Sequence, residues 1–481
     1  MPATNSATGV NNSVVTVGQN LTDTVTASST AGATATTVEG IAAGNATVTQ
    51  DVGVLDSTLS VGGNGTLTVN ETGVATASAT TVNRTNVVAA ASTDGAVGDR
   101  VVDATTGDTL GYIIDALTGD YALTPDGTAV AGTLASGDLL FASSAFAGFT
   151  GNTGGIIDSS AAGGSVTNDV VIGAAATVGV TVDNTATATS VNTDGGAAAT
   201  SFIKESYGLF DVGVQAGSSG SLIANVDANA VAAATTVGGT AGGSAAADAT
   251  SAATITDAVG INASVAGVLG NNTFGDGATI SATAGTSLDK LQVSSTSTST
   301  TGNATAVSTL GDAVGINTVQ DDDQTNDLIS VGNDGAVTGV GFADVKAAAT
   351  TTNGVAVATA TTADTSGIEA GTISVGDGAT IQAQAGIGST VTAAVTGSTL
   401  TGVFTATASN TVTDTAGLDL EKLSVGGNAL QTGGFGVLGR TDADLITTAS
   451  TIGNGADDKA SATGTLTNAV GIDIGDAAVL A

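Results

Sequence analysis

Apolar and small polar residues alternate along most of this chain. Residues 372–386, TISVGDGATIQAQAG, show the pattern on both sides of a Gly-Asp-Gly break. Alternation with a period of two is typical of β-strands that bury one face. Breaks such as Gly-Asp-Gly and Gly-Gly-Asn supply residues that tolerate the positive φ angles of tight turns. No segment has convincing helical periodicity, so the pattern predicts an all-β protein.

The alternation is organised in a repeat. A first anchor consists of a glycine, one to three apolar residues and then usually Asn, Asp or Glu. Its glycines are Gly9, Gly53, Gly111, Gly155, Gly208, Gly260, Gly315, Gly367, Gly417 and Gly471. Their spacing of about 50 residues lies in the range of solenoids and repeat arrays, so we expect about ten repeats of four or five short strands.

A second anchor follows the first: two apolar positions around a small residue, a glycine, a short polar turn and a new alternating run. Its glycines are predicted to form the structural turns of the repeat: Gly18, Gly62, Gly119, Gly173, Gly275, Gly332, Gly376, Gly426 and Gly475. One copy, near Val226, has lost its glycine. Low complexity alone would not keep two anchors in register, so the repeat is the strongest signal in the sequence.

Composition narrows the choice of fold. The 481 residues include 70 Gly and 2 Pro, no Cys, His or Trp, and 2% aromatic residues, so the core must be thin and built from Val, Ile, Leu and Ala. Such a unit cannot bury enough surface to fold alone, but stacked units can. We therefore predict a β-solenoid (β-helix-like) with one or two coils per repeat. At two coils per repeat, the rod would be on the order of 100 Å long. The alternative is a tandem array of small β-sandwiches, each needing its own core.

The sequence divides into four predicted segments. Residues 1–98 and 161–470 are β repeats, residues 99–160 form an aromatic-richer repeat, and residues 471–481 are a partial terminal repeat. The aromatic residues Tyr112, Tyr121, Phe141, Phe146 and Phe149 either fill a wider or hairpin-decorated coil or form a contact or binding platform. The partial repeat is either a cap or an assembly edge that another chain completes.

The charge excludes several partners. The chain has 43 Asp and Glu residues against 8 Lys and Arg, a formal net charge of −35. Phosphate neutralisation needs a cationic footprint, so we expect no nucleic acid as a partner. An anionic membrane surface would repel the chain, and no window is apolar over the length of a transmembrane helix. Residues 1–20 lack the pattern of a secretory signal peptide.

Little enzymatic chemistry is available. Without His and Cys, triads, thiol chemistry and zinc sites with nitrogen or sulfur ligands are excluded. Paired carboxylates could hydrolyse glycosides, but such enzymes usually line a groove with the aromatic and basic residues that are scarce here, so we expect no enzyme. The one cofactor to consider is Ca²⁺, for which the run QDDDQTND offers Asp321, Asp322, Asp323 and Asp327, although a solvated acidic loop is the usual explanation.

The phrases ISVGDGATIQAQAG, VGINTVQ and LSVGGNGTLTV, together with the Ala, Thr, Val, Gly and Asn texture, resemble the repetitive fibre-like structural proteins of marine tailed phages, cyanophages in particular. The texture covers most of the chain. The resemblance implies a non-enzymatic virion surface or fibre protein that forms homo-oligomers or filaments, binds other virion proteins and contacts host-surface glycans. Bacterial surface-layer proteins and secreted adhesins share the composition, which makes a self-assembling cell-surface protein the alternative. The tandem nine-residue Gly-Asp repeats of secreted calcium-binding proteins are absent.

Overall fold

The computed structural model describes residues 3–479 except 39–41, 83–86, 90, 92–99, 103–108, 116, 123–129, 137–138, 141–142, 152, 159–169, 238–247, 263–271, 319–327, 398–403, 426–435 and 453–457. The described residues form strands, turns and bends, and no helix. The strands belong to two long sheets, here named A and B, and to one small sheet, C.

The chain winds through nine coils, which are numbered from the N-terminus. Sheet A holds, coil by coil, β1 (Ala3–Asn11) and β2 (Val14–Val17); β4 (Ala42–Leu55) and β5 (Thr58–Val61); β13 (Ser143–Phe149), β14 (Thr153–Ile157) and β15 (Val170–Ile172); β17 (Ala197–Phe210) and β18 (Val214–Ala216); β20 (Ala249–Asn262) and β21 (Asn272–Phe274); β24 (Ala304–Asn317) and β25 (Leu328–Val331); β27 (Val355–Val375); β29 (Thr405–Val412) and β30 (Ala416–Val425); β32 (Lys459–Leu466) and β33 (Val470–Val479).

Sheet B holds the return strand of coils 1 to 8: β3 (Thr22–Val38), β6 (Thr66–Val82), β16 (Thr177–Asn192), β19 (Ser221–Thr236), the pair β22 (Thr279–Ala284) and β23 (Leu291–Ser299), β26 (Ala336–Thr351), β28 (Thr380–Thr396) and β31 (Gly436–Ile452). Every pairing within sheets A and B is parallel, and each coil pairs with the coil before and after it. The predicted all-β solenoid is therefore confirmed.

Each repeat forms one coil, and the described residues contain nine coils where about ten repeats were expected. Gly111 lies in sheet C, outside the stack, so its resemblance to the first anchor is accidental. Nine strand layers about 4.8 Å apart span about 40 Å, well short of the rod expected from two coils per repeat. The longest return strands, such as β3, have 17 residues, which is about 55 Å of extended chain. The described molecule is therefore a block that is broader than it is high.

Sheet C interrupts the solenoid between coils 2 and 3. It is antiparallel and contains β7 (Val87–Val88), β8 (Arg100–Val102), β9 (Thr109–Asp115), β10 (Asp120–Ala122), β11 (Gly132–Thr133) and β12 (Leu139–Leu140). It has its own small core of Ala89, Val101, Ile113 and Leu134. The coil resumes at Ser143, and β13 pairs directly with β4 as if the insertion were absent. The predicted aromatic-richer segment 99–160 thus contains two different parts of the structure: most of this insertion and the first strands of coil 3.

The solenoid core changes in character across its width. Near the second anchor, large aliphatic side chains such as Leu59, Leu67, Ile172 and Leu222 are fully buried. Toward the other end of the return strands, the buried positions are Ala and Ser: Ala230, Ala232 and Ala234 follow one another along β19. Two of the contacts there are hydrogen bonds between serine hydroxyls of the two sheets, Ser251–Ser297 at 2.8 Å and Ser295–Ser308 at 2.9 Å. Small side chains allow the sheets to approach closely, as the composition predicts.

The first anchor glycines form a column through all nine coils. Strand register aligns Gly9, Gly53, Gly155, Gly208, Gly260, Gly315, Gly367, Gly417 and Gly471. A Cβ atom on any of the first eight would lie 2.2–2.8 Å from the carbonyl oxygen of the next glycine in the column. From Gly315 to Gly417, it would also lie 2.3–2.6 Å from a backbone nitrogen of sheet B. Glycine is required here because both the neighbouring coil and the opposite sheet occupy the space of a side chain.

The second anchor glycines form a parallel column of turns. In this column, Gly62, Gly173, Gly275, Gly332 and Gly376 each donate a backbone hydrogen bond to the preceding coil, and Gly18 lies at the start of the column. The coil near Val226 was expected to lack this glycine, but it has one. Gly217 directly follows β18, and its N–H donates to Ile172 O. Val226 lies inside the next strand, β19.

Two predicted turn glycines are wrong and one is untested. Gly119 has a φ of +77° and forms a turn, but it lies between β9 and β10 of sheet C. Gly475 lies inside β33, because the aligned turn position follows Val425 and Val479. Gly426 lies outside the described residues. The sequences around Gly119 and Gly475 resemble the second anchor, but neither glycine lies in the column of turns.

Each described turn that follows a second-anchor glycine contains one residue with left-handed backbone. These residues, with φ between 55° and 71°, are Asn20, Asn64, Ala175, Ser219, Gly277, Asp334 and Gly378. A left-handed alanine is strained, whereas glycine is not. We expect Ala175→Gly to raise the free energy of unfolding by about 0.5–1 kcal/mol, measured by urea denaturation. Ala174→Gly is the matched control, because Ala174 is also exposed but has no left-handed φ. An equal effect of both substitutions would refute the strain at Ala175.

The structure describes the side chains of three of the five aromatic residues that were predicted either to fill a wider coil or to form a contact platform. Phe149 is part of the main core and Phe146 is buried as well. Tyr121 packs on the small core of sheet C. Tyr112 lies in β9, its side chain is not described, and Phe141 lies outside the described residues. At the C-terminal end, Val470–Val479 forms β33 against β30, and the choice between a cap and an assembly edge stays a prediction.

Candidate functional site

The outer face of sheet A carries carboxyl groups at fixed distances from the first anchor glycine. The first carboxylate ladder occupies the position three residues before that glycine and consists of Glu205, Asp257, Asp312 and Asp364, which the strand register places side by side. Asp414 holds the same position in coil 8. Like charges placed directly opposite each other on adjacent strands are destabilising, so this ladder needs a physical explanation.

The position two residues after the anchor glycine changes in chemistry along the stack. Register aligns Leu55, Ile157, Phe210, Asn262, Asn317, Glu369, Asp419 and Asp473. In coils 2 to 4 these side chains pack in small apolar clusters that are separate from the main core. In coils 7 to 9 they are acids, here named the second carboxylate ladder. The same position is thus polar in coil 1 (Asn11), apolar in coils 2 to 4 and acidic in coils 7 to 9, where we call the acidic part of this surface the groove.

Aromatic residues mark the transition between the two ends. The ring of Tyr207 stacks on that of Phe210 with centroids 4.5 Å apart. Its hydroxyl donates a hydrogen bond of 3.1 Å to Asp257 Oδ2. Burial and the neighbouring carboxylates raise the pKa of Tyr207, so it remains a donor. The first ladder therefore begins with partial compensation: Lys204 pairs with Glu205 at 3.1 Å, and Tyr207 supports Asp257.

The two ladders meet at Asp364 and Glu369. Ser366 Oγ donates to Asp364 Oδ1 at 2.7 Å, and Asn317 Nδ2 donates to Glu369 Oε2 at 3.4 Å. Burial, followed by the charges of Asp364, Asp419 and Asp312, raises the pKa of Glu369 to about 8. Burial also raises the pKa of Asp364 to about 6, against the opposing effect of the Ser366 hydrogen bond. The charged groups that act on this pair are all acidic, so the groove holds protons near neutral pH.

A pocket of about 240 Å³ lies beside the second ladder, lined by Glu369, Ala370, Asp419, Leu420, Glu421, Asp473 and Gly475. A carboxyl pair that shares a proton can act as a general acid or base. This lining, however, contains neither an aromatic ring nor a basic side chain to position a substrate. The geometry therefore provides proton binding and a negative potential.

The Ca²⁺ prediction depends on four aspartates of a single acidic run. Asp321, Asp322, Asp323 and Asp327 lie outside the described residues. Within the described part of the chain, no three acidic, His or Cys side chains are arranged to hold a metal ion. The ladders themselves were missed at the level of sequence. Their signal was present as acids recurring at constant offsets from the anchor glycine, but only parallel in-register stacking turns such offsets into contacts.

Stability should depend on pH through Glu369. The folded state raises this pKa, so it binds protons more tightly than the unfolded chain, and stability is lost as pH rises through about 8. We expect Glu369→Gln to be more stable than the wild type at pH 9 and to show a smaller difference at pH 5, measured as urea midpoints. Glu421→Gln, an exposed change in the same pocket, is the control. An identical pH profile for wild type and E369Q would contradict the role of this carboxyl group.

Comparison of the chain with protein-family models, with curated proteins and with solved structures finds no match. In the described part of the chain, no helix has the length and apolar character needed to span a membrane. The fold and the acidic groove are therefore the basis for any statement about function.

Proposed function

We propose that this chain is a non-enzymatic structural protein, a β-solenoid building block of a virion surface or fibre. Its partners would be further copies of itself and other virion proteins, and its exposed faces would contact the host surface, including glycans. Because one chain makes a stack of only about 40 Å, a fibre would require several copies. The proposed location is the surface of the virion.

The observation that supports this proposal most strongly is that residues in each repeat are constrained by the stacking of the coils. Among the described residues, each of the nine coils contributes one glycine to the first column, and each of coils 1 to 7 has a second glycine at the start of a turn. Small residues fill one half of the core so that the two sheets can approach. A sequence constrained in this way is typical of a scaffold.

The groove supports the same proposal. The pocket beside the second ladder lacks the rings and cations that commonly orient a sugar or a phosphate, and the chain contains no His or Cys. A surface with a net charge of −35 also remains soluble at the high local concentrations of an assembly.

Quantitative proteomics of purified phage particles tests the proposed location. A fixed copy number per virion would support it. Recovery of the chain from the surface of an uninfected bacterial culture would reject it and favour the alternative, a secreted surface-layer, filament or adhesin protein. Electron microscopy of the purified chain tests the structural role, for which we expect regular oligomers or filaments. Glycan cleavage that is lost in Glu369→Gln would overturn the non-enzymatic assignment.

A further inference from the structure

Two acidic side chains lie inside the solenoid, between sheets A and B. Asp51 on β4 is 0% exposed and Glu71 on β6 is 1% exposed. Their carboxyl groups are within hydrogen-bonding reach of each other. Burying one ionised carboxylate without a partner is costly, and burying two in contact is more so. The pair belongs neither to the outer groove nor to the repeat pattern, because the aligned positions in later coils are not acidic.

Hydrogen-bond accounting shows what the pair lacks. Ser29 Oγ on β3 donates to Asp51 Oδ2 at 2.5 Å. Among the described residues, Asp51 Oδ1 and both Glu71 carboxyl oxygens have no hydrogen-bond partner. All three atoms are acceptors when the acids are ionised, so the interior is short of a donor. A proton on Glu71 would supply it, because a neutral carboxyl group donates one hydrogen bond and a neighbouring carboxylate accepts it.

We propose that Asp51 and Glu71 share one proton and form a pH-sensitive clasp between the two sheets in the N-terminal coils. The shared proton removes one buried charge and gives Asp51 Oδ1 its missing partner. When hydroxide removes that proton, water is formed and two adjacent carboxylates remain in the interior. Their repulsion then loosens the contact of β4 with β3 and β6.

The surroundings of the clasp supply no opposite charge. From β3 it is faced by Ser29; Asp183 on β16 has an exposed side chain, but its negative charge raises the pKa of Glu71, with a smaller opposing effect from the Asp183 backbone. Asn184, also on β16, donates its amide to Ser206 Oγ on β17 at 3.0 Å. Burial is the main cause that raises the pKa of Glu71 well above its usual range, and the charges of Asp51 and Asp183 add to it. Burial also raises the pKa of Asp51, and this is partly offset by the hydrogen bond from Ser29 and by the neighbouring carboxyl group of Glu71.

The sign of the pH effect follows from these directions. The folded chain holds the proton of Glu71 at pH values where the unfolded chain has lost it. The clasp therefore contributes its full stability below the ordinary pKa of glutamate, and this contribution declines as pH rises through the folded pKa. Glu71→Gln replaces the neutral carboxyl group with an amide that donates to Asp51 at every pH.

The test compares urea midpoints of the full chain, wild type and E71Q, at pH 5, 7 and 9. We expect the midpoint of E71Q to exceed that of the wild type by an amount that grows with pH and reaches roughly 0.5 M at pH 9. Hydrogen exchange, corrected for its intrinsic pH dependence, should place the added protection in β4 and β6. Asp23→Asn is the control, because Asp23 lies on β3 with an exposed side chain, and its difference from the wild type should not grow.

A constant difference between E71Q and the wild type across the three pH values would overturn the clasp. The clasp would also be overturned if Ca²⁺ raised the urea midpoint of the wild type at pH 9 but did not raise that of E71Q. The pair would then hold a cation in place of a proton. If E71Q fails to fold, Asp51→Asn provides the second measurement, since its amide can donate to Glu71. A wild-type pH dependence retained unchanged in D51N would also reject the proposal.

Discussion

Replacing Gly367 by alanine should cost at least about 3 kcal/mol of the free energy of unfolding, a large effect for a one-carbon change. The added Cβ would lie 2.5 Å from Gln384 N on sheet B and 2.6 Å from Gly417 O in the next coil. Both atoms belong to backbone held in parallel ladders, so neither can move without displacing a whole strand. Urea denaturation followed by circular dichroism measures the loss.

The matched control is Gly179→Ala. Gly179 lies in the return strand β16, and a Cβ there would meet no atom within 4 Å. We expect this substitution to be neutral or stabilising by about 0.5 kcal/mol, because alanine loses less entropy than glycine when a strand forms. Equal stabilities of G367A and G179A would show that the glycine column is not under the packing constraint described above.

The second large effect is expected for Phe149→Ala. Phe149 is fully buried, and its ring occupies the space that a side chain at residue 73 would need, with Cε1 2.4 Å from the ideal Cβ position of Gly73. Truncation of a buried phenylalanine leaves a cavity and typically costs about 3–5 kcal/mol. Leu117→Ala, at a side chain that is 86% exposed in sheet C, should change stability by less than about 0.5 kcal/mol.

A double substitution sharpens this prediction. Gly73→Ala alone should be destabilising because the new methyl group collides with the Phe149 ring. In the F149A background the collision with the ring is removed and only Asn184 Oδ1, 2.5 Å from the same Cβ position, remains close, so the loss caused by G73A should be smaller and the two effects non-additive. Additive losses from G73A and F149A would contradict the contact between the two residues.

The anchors show how far local pattern can be read. The first anchor at Gly53 and Gly367 and the turn glycines at Gly62 and Gly376 are located correctly, because one-dimensional spacing is preserved when identical units stack. Gly111 and Gly119 were assigned to the repeat wrongly. They lie in an insertion whose length and phrases are similar to those of a repeat, so the spacing of about 50 residues does not reveal it. Sheet C pairs antiparallel strands that lie within one insertion. The alternation of apolar and polar residues in these strands is the same as in the strands of a coil, so the sequence does not distinguish the two.

The acidic groove and the buried pair show what local pattern leaves out. Asp364 and Glu369 are five residues apart, and their interaction depends on the path of sheet A between them, whereas Glu369 and Asp419 meet only through the alignment of coils 7 and 8. Asp51 and Glu71 are ordinary acids in the sequence. Glu71 points inward because it follows the alternation of β6, whereas Asp51 is directed inward by a register shift in β4 between Val48 and Gln50.

By itself, the sequence determined an all-β fold, its repeat length, the glycine positions and a core of small aliphatic residues, because each depends on spacing and residue type within one unit. Only the tertiary structure decided the number of coils, the placement of sheet C outside the stack, the burial of Phe146 and Phe149, and the carboxylate ladders. The physical reason is that these features arise from contacts between units. A column forms when the register of many parallel strands brings residues about 50 positions apart to within one strand spacing of about 4.8 Å.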